Sequence, residues 1–580
     1  MAFSKARVRY SRIVSFVDIF LFLGLVLFTY ALVGVAQEWS SPFHPKVEIE
    51  LGYLHLAKYS FFSLVRVVAA YFLSLVFTFT YGYAAAKSRL AEPILISLLD
   101  ILQSIPVLGF MPGVVLALVH LFPSSNIGLE IAAVIMIFTG EGWNMVFSFY
   151  SSVKGVPTEL REMSRMLRLR RWDVLQTIEI PFAMNGLLWN SMLSMAGGWF
   201  FLMTIESQKV GEHDFRLPGI GSYMAVAYEQ NNIPAIVAGL SAMLFLILLV
   251  DRCVWAPLVV WSERFKYESG TVRSHQRSLM LEFLKKSKII DWYLEFREKN
   301  AKKFRAWWEK RLKENLKQKP KKPSEVRRLP LTLNLLRVGF ILLGIGFTIW
   351  GYKSMHVLLA ETRLQTWLGF ARDITFTFLR VTFAVIIGSL WTIPVGVFIG
   401  THPKWTARLQ PVIQMVASFP APMLFPIFVF LMSRVGLSFE IGSVVLMLFA
   451  SQWYILFNVV SGAVYIPKTL MELGQAFRLS SYDQWRAIII PSIFPSLVNG
   501  WITAAGGAWN ASIVAEVVSV GKETVVATGI GATITQSANT GDFPTLAGGI
   551  LVLVTVVVLL NRILWGSLYK LAETKYRLEL

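Results

Sequence analysis

The 580-residue sequence predicts an all-α polytopic membrane protein, with about twelve transmembrane helices in two homologous six-helix halves. Three observations predict it. Hydrophobic residues make up 55% of the chain and charged residues only 16%, a balance of bilayer-embedded chains and not of large soluble enzymes. Apolar stretches long enough to cross a hydrocarbon core, roughly 20 residues at about 1.5 Å rise each, recur along the chain. The chain also repeats itself: VPTELREMSRMLRLRRWDVLQTIEIP at 156–181 matches IPKTLMELGQAFRLSSYDQWRAIIIP at 466–491, an offset of 310 residues.

In chain order the expected spans are 14–36, 59–86, 95–121, 129–151, 184–206, 233–261, 331–352, 370–399, 409–432, 438–461, 494–517 and 545–569. Prolines break 95–121 and 409–432. The first stretch is long and lacks a small-residue cleavage pattern, so no cleavable signal peptide is expected. Lys and Arg in short loops set orientation. Lys5, Arg7, Arg9 and Arg12 precede the first span, Lys87 and Arg89 follow the second, and Arg161, Arg165, Arg168, Arg170 and Arg171 follow the fourth. The loops 37–58 and 122–128 are poor in both residues. Both termini are therefore expected in the cytoplasm.

The net charge of +19 does not point to nucleic acid, because residues 262–329 hold 21 Lys+Arg against 9 Asp+Glu. Within this linker Ile289, Tyr293, Phe296, Phe304, Trp308 and Leu312 recur at helical spacing among basic residues. That pattern suits an amphipathic helix on an anionic inner leaflet; a solvated helical linker is the plainer alternative. The single Cys253 allows no disulfide within the chain.

The repeat extends well beyond the polar segment. At the offset of 310, Trp143 meets Trp453, Pro157 meets Pro467, Glu162 meets Glu472, Asp173 meets Asp483, and Pro181 meets Pro491. GGWFFLMTIE (197–206) meets GAWNASIVAE (507–516), GIG at 219–221 meets GIG at 529–531, and DRCVW (251–255) meets NRILW (561–565). Upstream the offset is 314, pairing Arg66 with Arg380, Gly82 with Gly396, Pro106 with Pro420 and Pro112 with Pro426. The first half thus carries four extra residues between Pro112 and Trp143. Two parallel halves are expected to face each other across a pseudo-two-fold axis along the membrane normal, with a pathway at their interface. The expected divisions are a tail, first span and outer loop (1–58), a first core (59–262), the basic linker (263–329), a seventh span with its outer loop (330–369) and a second core (370–575).

Each polar segment opens on a proline, runs as a short helix, and enters a second helix with Asp173 or Asp483 near its start. Proline suits a first helical turn, and a carboxylate there complements the helix dipole. Between the fourth and fifth spans, this segment resembles the EAA loop of ATP-binding cassette (ABC) importer permeases, on the pattern of Glu followed by Leu, an aromatic, Asp and finally Ile-Pro. The nearest subgroup is that of the nitrate, sulfonate, taurine and bicarbonate permeases, to which WFFLMTIE, WNASIVAE, the paired GIG and the prolines of LQSIPVLGFMP and VASFPAPMLFP are also similar. The resemblance covers about 60–265 and 374–575 and implies the MetI-like, type I importer permease fold.

The resemblance implies a coupling helix in each half that docks on an ATPase subunit, through Glu162, Arg165, Arg168 and Asp173 in one half and Glu472, Gln475, Arg478 and Asp483 in the other. It implies two ATPase subunits carrying ATP and Mg, none of which this chain holds itself, an extracytoplasmic substrate-binding protein, and alternating access in a bacterial or archaeal plasma membrane. The family's glycine is replaced here by Arg168 and Arg478. Either these arginines serve an acidic ATPase surface or lipid phosphates, or the turn adopts ordinary dihedrals and they are merely exposed.

Within the spans, Trp199, Glu206, Trp509, Asn510 and Glu516 are candidates for the pathway or its outer gate, with Arg66 and Arg380 as positive counterparts. Buried carboxylates are costly without partners, so pairing of the arginines with Glu206 and Glu516 is preferred over anion attraction. A pair of Glu repels an anion, which argues against carboxylate coordination of an anionic substrate. Phe200 and Phe201 face Asn510 and Ala511 in the alignment, so a substrate site is expected to be asymmetric.

The expected function is thus the permease subunit of an ABC importer, with a small anion such as nitrate, sulfonate, taurine or bicarbonate as substrate. A secondary transporter with two parallel halves is the alternative, but it gives no reason for a repeated loop. An enzyme finds no support: VGKETV lacks the first glycine and hydroxyl of a phosphate loop, and the seven histidines form no metal pair.

Overall fold

The computed structural model describes residues 16–41, 48–88, 90–210, 213–265, 279–317, 362–521 and 523–576, with scattered positions from 346 to 360. In the first half the helices are α1 (Phe16–Ser40), α2 (Tyr53–Lys87), α3 (Glu92–Ser104), α4 (Val107–Leu121), α5 (Ile127–Lys154), α6 (Thr158–Met166), α7 (Ile180–Glu206), α8 (Ile220–Glu229) and α9 (Ile233–Phe265). The linker contributes α10 (Lys288–Lys317). The second half follows with α11 (Leu364–Thr401), α12 (Pro403–Ser418), α13 (Phe425–Arg434), α14 (Phe439–Val464), α15 (Lys468–Ala476), α16 (Ile490–Ala515), α17 (Ile530–Thr540) and α18 (Phe543–Leu560).

Among the described residues, eight helices are long and apolar enough to cross a membrane, or ten if each bent pair counts as one span. The bent pairs are the two segments with central prolines. Glu92–Gln103 and Val107–Leu121 meet at 93°, and Arg408–Ser418 and Ala421–Arg434 at 72°. Pro106 and Pro420 sit at the breaks with extended backbones (ψ 108° and 111°), because proline carries no N–H to continue the ladder. The fifth expected span is α7, whose 27 residues suffice by length although its Asn, Ser and Gly content keeps it out of the eight. The seventh, 331–352, lies mostly outside the described residues, as do the basic residues ahead of the first span.

Four π-helical turns follow the repeat: Leu175–Glu179 with Trp485–Ile489, and Asp251–Trp255 with Asn561–Trp565. Two small antiparallel hairpins add strands to the all-α expectation. Lys209–Val210 pairs with His213–Asp214 after α7, and Val517–Val520 pairs with Glu523–Val526 after α16. Gly521, at φ 62°, supplies the positive φ that a two-residue hairpin turn requires.

The chain divides into two compact units. One comprises Met1–Ser40, Ser148–Trp189 and Leu248–Arg327. In it the Asp18 carboxylate of α1 accepts the Ser287 hydroxyl at 2.6 Å and the Lys288 and Ile289 amides at 3.3 Å, so α1 caps the linker helix α10. Ile289, Trp292, Tyr293 and Phe296 of α10 are exposed; the side chains of Phe304, Trp308 and Leu312 lie outside the described residues.

The other unit comprises Ser41–Phe147, Asn190–Ile247 and Arg328–Leu580. One apolar core joins α11, α14 and the start of α16 through Val397, Ile455, Val459, Ile493 and Leu497. A second packs α2 on α8 and α9 through Leu56, Tyr59, Tyr223 and Ala235. Parts of both halves meet inside this unit: Tyr228 donates to the Met423 carbonyl at 2.6 Å, and Gln414 to that of Met192 at 3.4 Å.

Candidate functional site

The polar segment folds twice in the same way. Pro157 and Pro467 hold extended backbones (ψ 145° and 129°) immediately before α6 and α15, nine residues each. One residue in each helix is buried, Ser164 in α6 and its counterpart Gly474 in α15. A Cβ at Gly474 would lie 2.8 Å from Ile488 Cδ1. Small residues there let the short helix pack onto the turn that follows it. Glu162, Arg165, Glu472 and Gln475 are exposed on the other side.

Both helices end on a Schellman motif. Leu169 N–H donates to the Ser164 carbonyl at 3.0 Å and Arg168 N–H to that of Arg165 at 3.0 Å. Leu479 N–H donates to the Gly474 carbonyl at 3.0 Å and Arg478 N–H to that of Gln475 at 2.9 Å. This motif places its penultimate residue in the left-handed region, usually filled by glycine. Arg168 and Arg478 occupy it with φ of 50° and 51°. The reading in which this turn takes ordinary dihedrals is therefore wrong. The backbone has the glycine conformation, and an arginine bears its cost in each half.

A four-residue helix follows, Arg171–Val174 or Ser481–Gln484. Asp173 accepts the Arg170 amide at 3.2 Å; Asp483 accepts the Ser480 hydroxyl at 2.6 Å while its own amide donates back to that hydroxyl at 3.2 Å. Each aspartate thus closes the start of its helix. Beside them the aromatic residues Trp172 and Tyr482 are 64% and 72% exposed. Neither is among the expected site residues, although they align in the repeat, and each polar segment also exposes a second large apolar side chain, Met166 in one half and Phe477 in the other.

At the far end of α7, the Arg66 guanidinium of α2 grips Glu130 of α5 through two 2.6 Å bonds from Nε and Nη2. Its Nη1 donates to Glu206 Oε1 at 2.7 Å and to the Pro218 carbonyl at 2.9 Å. Glu206 also accepts the Ser63 hydroxyl at 2.7 Å and the Gly221 amide at 2.8 Å, while Ser63 Oγ accepts the Ile220 amide at 2.9 Å. All three charged side chains are no more than 1% exposed.

The second half repeats the network. Arg380 pairs with Glu440, and its Nη1 donates to Glu516 Oε1 at 2.9 Å and to the Thr528 carbonyl at 2.6 Å. Thr377 takes the place of Ser63, donating to Glu516 at 2.7 Å and accepting the Ile530 amide at 2.9 Å. One difference stands out: the Glu440 side chain is 49% exposed.

These clamps explain the paired GIG. Gly219 and Gly529 are extended, so no special φ demands glycine; a Cβ at either would collide with the carboxylate of Glu206 or Glu516. The start of α8 or α17 thereby sits directly on the acid that ends the preceding span, with amide dipoles facing negative charge. Arg66 and Arg380 are consumed by carboxylates and offer no free positive charge to an anion. Glu130 and Glu440, absent from the expected site residues, complete the clamps. They also place the four extra residues of the first half before Glu130, because Glu130 and Glu440 already align at 310.

Trp199 and Trp509 are 2% and 3% exposed and act as core residues. Asn510 Oδ1 lies 3.5 Å from the Leu108 amide in the first turn of α4, and its Nδ2 donates to the Gly506 carbonyl at 3.1 Å. Its amide oxygen thus faces a backbone amide at the Pro106 break, and its amide nitrogen bonds back onto its own helix. Outside the spans, Arg216 is bonded to Asp214 at 2.8 Å and to Glu229 at 3.4 Å. Burial works against its charge, but these carboxylates raise its pKa above the ordinary arginine value.

A family model, described as the binding-protein-dependent transport system inner membrane component, matches residues 78–254 and 392–577. The bicarbonate transport system permease protein CmpB of Synechococcus elongatus is 22% identical over 203 residues, 35% of this chain and 66% of the relative. The nitrate import permease protein NrtB of Synechocystis is 25% identical over 194 residues, 33% of this chain and 66% of the relative. The trimethylamine N-oxide transport system permease protein TmoV of Pelagibacter ubique is 29% identical over 191 residues, 32% of this chain and 24% of the relative. The chain thus spans just under two thirds of the bicarbonate and nitrate relatives.

Proposed function

This chain belongs to the binding-protein-dependent transport system inner membrane component family, which matches it twice, and from that premise we propose that it is the fused permease subunit of an ABC importer. The two halves form the translocation pathway between them, and α6 and α15 transmit ATPase movement to the spans. The observation that carries this is the duplicated short helix, with its Schellman end, its left-handed arginine and its exposed aromatic neighbour. A polar helix held at both ends by longer helices is a stiff docking element. Nothing in a secondary carrier calls for two of them.

In this reading two ATPase subunits bind and hydrolyse ATP with Mg, and Glu162, Arg165, Arg168, Asp173, Glu472, Gln475, Arg478 and Asp483 form the docking surfaces. An extracytoplasmic binding protein delivers the substrate, a small anion; the names of the bicarbonate and nitrate relatives support that class. Trp199, Trp509 and Asn510 lie along the helices that border the pathway, while the Arg66 and Arg380 clamps keep the ends of those helices in register. The chain sits in a bacterial or archaeal plasma membrane with both termini cytoplasmic. The exposed aromatic and basic face of α10 rests on the anionic inner leaflet, where its capping by Asp18 near the start of α1 would hold it.

Co-purification with the ATPase subunits, followed by an ATP-driven uptake assay, tests the reading. Glu162→Ala with Glu472→Ala should abolish uptake and release the ATPase subunits. Intact association and uptake in the double variant would refute the coupling assignment, and uptake without ATP would favour a secondary carrier.

A further inference from the structure

Among the buried acids outside the two clamps, one lies in the middle of a span. Glu141 stands at the middle of α5 and is fully buried. Among the described residues it makes no ion pair, and its Oε1 has no hydrogen-bond partner. Its Oε2 lies 3.5 Å from Ser74 Oγ on α2. Ser74 has a single hydroxyl proton, and of the two acceptors in its reach the Ala70 carbonyl, at 2.9 Å, is much the nearer. With its proton on that carbonyl, Ser74 can accept from Glu141 and has nothing left to donate to it.

The surroundings are polar yet uncharged. Thr78, one turn beyond Ser74 on α2, and Ser194, one turn before Gly198 on α7, have buried hydroxyl oxygens without partners among the described residues. Tyr71 is the other titratable group facing Glu141 from α2, and it lies beside Ser191 of α7. Gly198 of α7 is pressed so closely against the acid that a Cβ there would overlap Glu141 Oε1. Next to it Gly197 faces the hydroxyl of Tyr454 from α14, at 3.5 Å from a Cβ placed there. No cation or N–H donor reaches Glu141 from any of these helices among the described residues.

The fold does not need this acid. At the offsets of the repeat, Glu141, Tyr71, Ser74, Ser194 and Gly198 correspond to Ser451, Val385, Gly388, Ala504 and Ala508. The second half packs its equivalent helices α11, α14 and α16 with a serine in place of the carboxyl, and of the accompanying hydroxyls it keeps only that of Thr392, the counterpart of Thr78, which donates to the Gly388 carbonyl at 2.7 Å. An ionised carboxylate at such a place, with neither donor nor cation, is strongly disfavoured.

We propose that Glu141 is an intramembrane proton-binding site, specific to the first half, which holds a proton while Gly198 of α7 packs against it and exchanges that proton when α7 withdraws. The bound proton lies on Oε2 and is donated to Ser74 Oγ, whose own proton goes to the Ala70 carbonyl, a chain with every donor directed. Withdrawal of α7 admits water, and the proton leaves as hydronium; return of α7 requires its recapture. The movement of α7 rests on the transport reading, whereas the protonation does not. The close fit of Gly198 leaves the acid no Cβ-sized gap and favours a proton over a dehydrated metal cation.

Infrared spectroscopy of the full chain in liposomes at neutral pH tests the bound proton. A protonated-carboxyl band should be present in the wild type and absent from Glu141→Gln. Glu141→Ser, which installs the second half's residue, provides a second variant should the first fail to fold. Absence of the band from the wild type, or its appearance only once sodium is withdrawn, would overturn the proton site. Exchange is read from ATP-driven uptake against pH, with the ATPase subunits present. The Gln variant should lose one proton's worth of pH dependence, and an unchanged profile would overturn the exchange. Failure of the transport reading would abolish uptake in the wild type but leave the infrared result standing.

Discussion

Replacing Arg66 by Ala should be among the most damaging single changes outside the polar segments, and the structure sets its size relative to Arg380→Ala. Among the described residues Arg66 is the one cation that pairs with both Glu130 and Glu206, each no more than 1% exposed. Removing one partner from a buried ion pair costs about 3–5 kcal/mol, because the remaining charge is left without water. Arg380→Ala leaves Glu516 equally buried, and that acid keeps Thr377 and the Ala532 amide just as Glu206 keeps Ser63 and the Gly221 amide, so the difference lies at the other carboxylate. Glu440, 49% exposed and bonded to the Thr528 amide and hydroxyl at 3.0 Å, can turn to water. The second change should therefore cost about 1–2 kcal/mol less, the penalty of roughly one fewer stranded polar group.

Thermal unfolding in detergent, followed by loss of the monodisperse peak, is the assay. Unfolding entropy of roughly 2.1 cal/mol/K per residue makes each kcal/mol worth about 0.8 °C in a chain of 580 residues, so Arg66→Ala should lower the midpoint by about 2–4 °C. Arg66→Met combined with Glu130→Gln and Glu206→Gln should recover much of the loss, since no charge then remains buried. A midpoint for Arg66→Ala within a degree of wild type, or a larger drop for Arg380→Ala, would refute the argument.

Gly219→Ala and Gly529→Ala should each reduce folded yield, because the new methyl overlaps the carboxylate of Glu206 or Glu516; the corresponding changes at Gly436, which faces open space, test its positive φ of 74° alone. Arg168→Gly and Arg478→Gly should each stabilise the protein. The left-handed conformation costs a non-glycine residue about 1–2 kcal/mol, and the greater freedom of glycine in the unfolded chain returns roughly 0.5–1 kcal/mol of that. A net gain near 0.5–1 kcal/mol should appear as a higher unfolding midpoint. A fall in ATP-driven uptake with that higher midpoint would mark the arginine side chains as functional; a lower midpoint would contradict the strain.

How far the sequence reaches depends on how local each constraint is. The spans, the duplicated segment and the proline breaks are legible because a bilayer demands runs of apolar residues and because proline and aspartate act on their own few residues. The hairpins after Glu206 and Glu516 are too short to leave an alternation pattern, and α7 carries enough polar residues to blur its hydropathy. The α6 and α15 ends resist sequence reading for a particular reason: arginine is a poor signal for a left-handed residue, so a glycine rule misses a glycine conformation.

By itself the sequence determined a membrane chain of two like halves, the position of its two polar segments and their alignment residue by residue. Desolvation cost already favoured pairing the two arginines with Glu206 and Glu516, but tertiary structure alone supplied the contacts and added Glu130 and Glu440. Arg66 is 64 residues from Glu130 and 140 from Glu206, and no local preference records so distant a pairing. The same holds for the first glycine of each GIG, whose necessity lies in a carboxylate across the turn, and for Glu141, whose isolation appears only when the three helices around it are packed. In a medium without water a charge is defined by its neighbours, and neighbours are supplied by the fold.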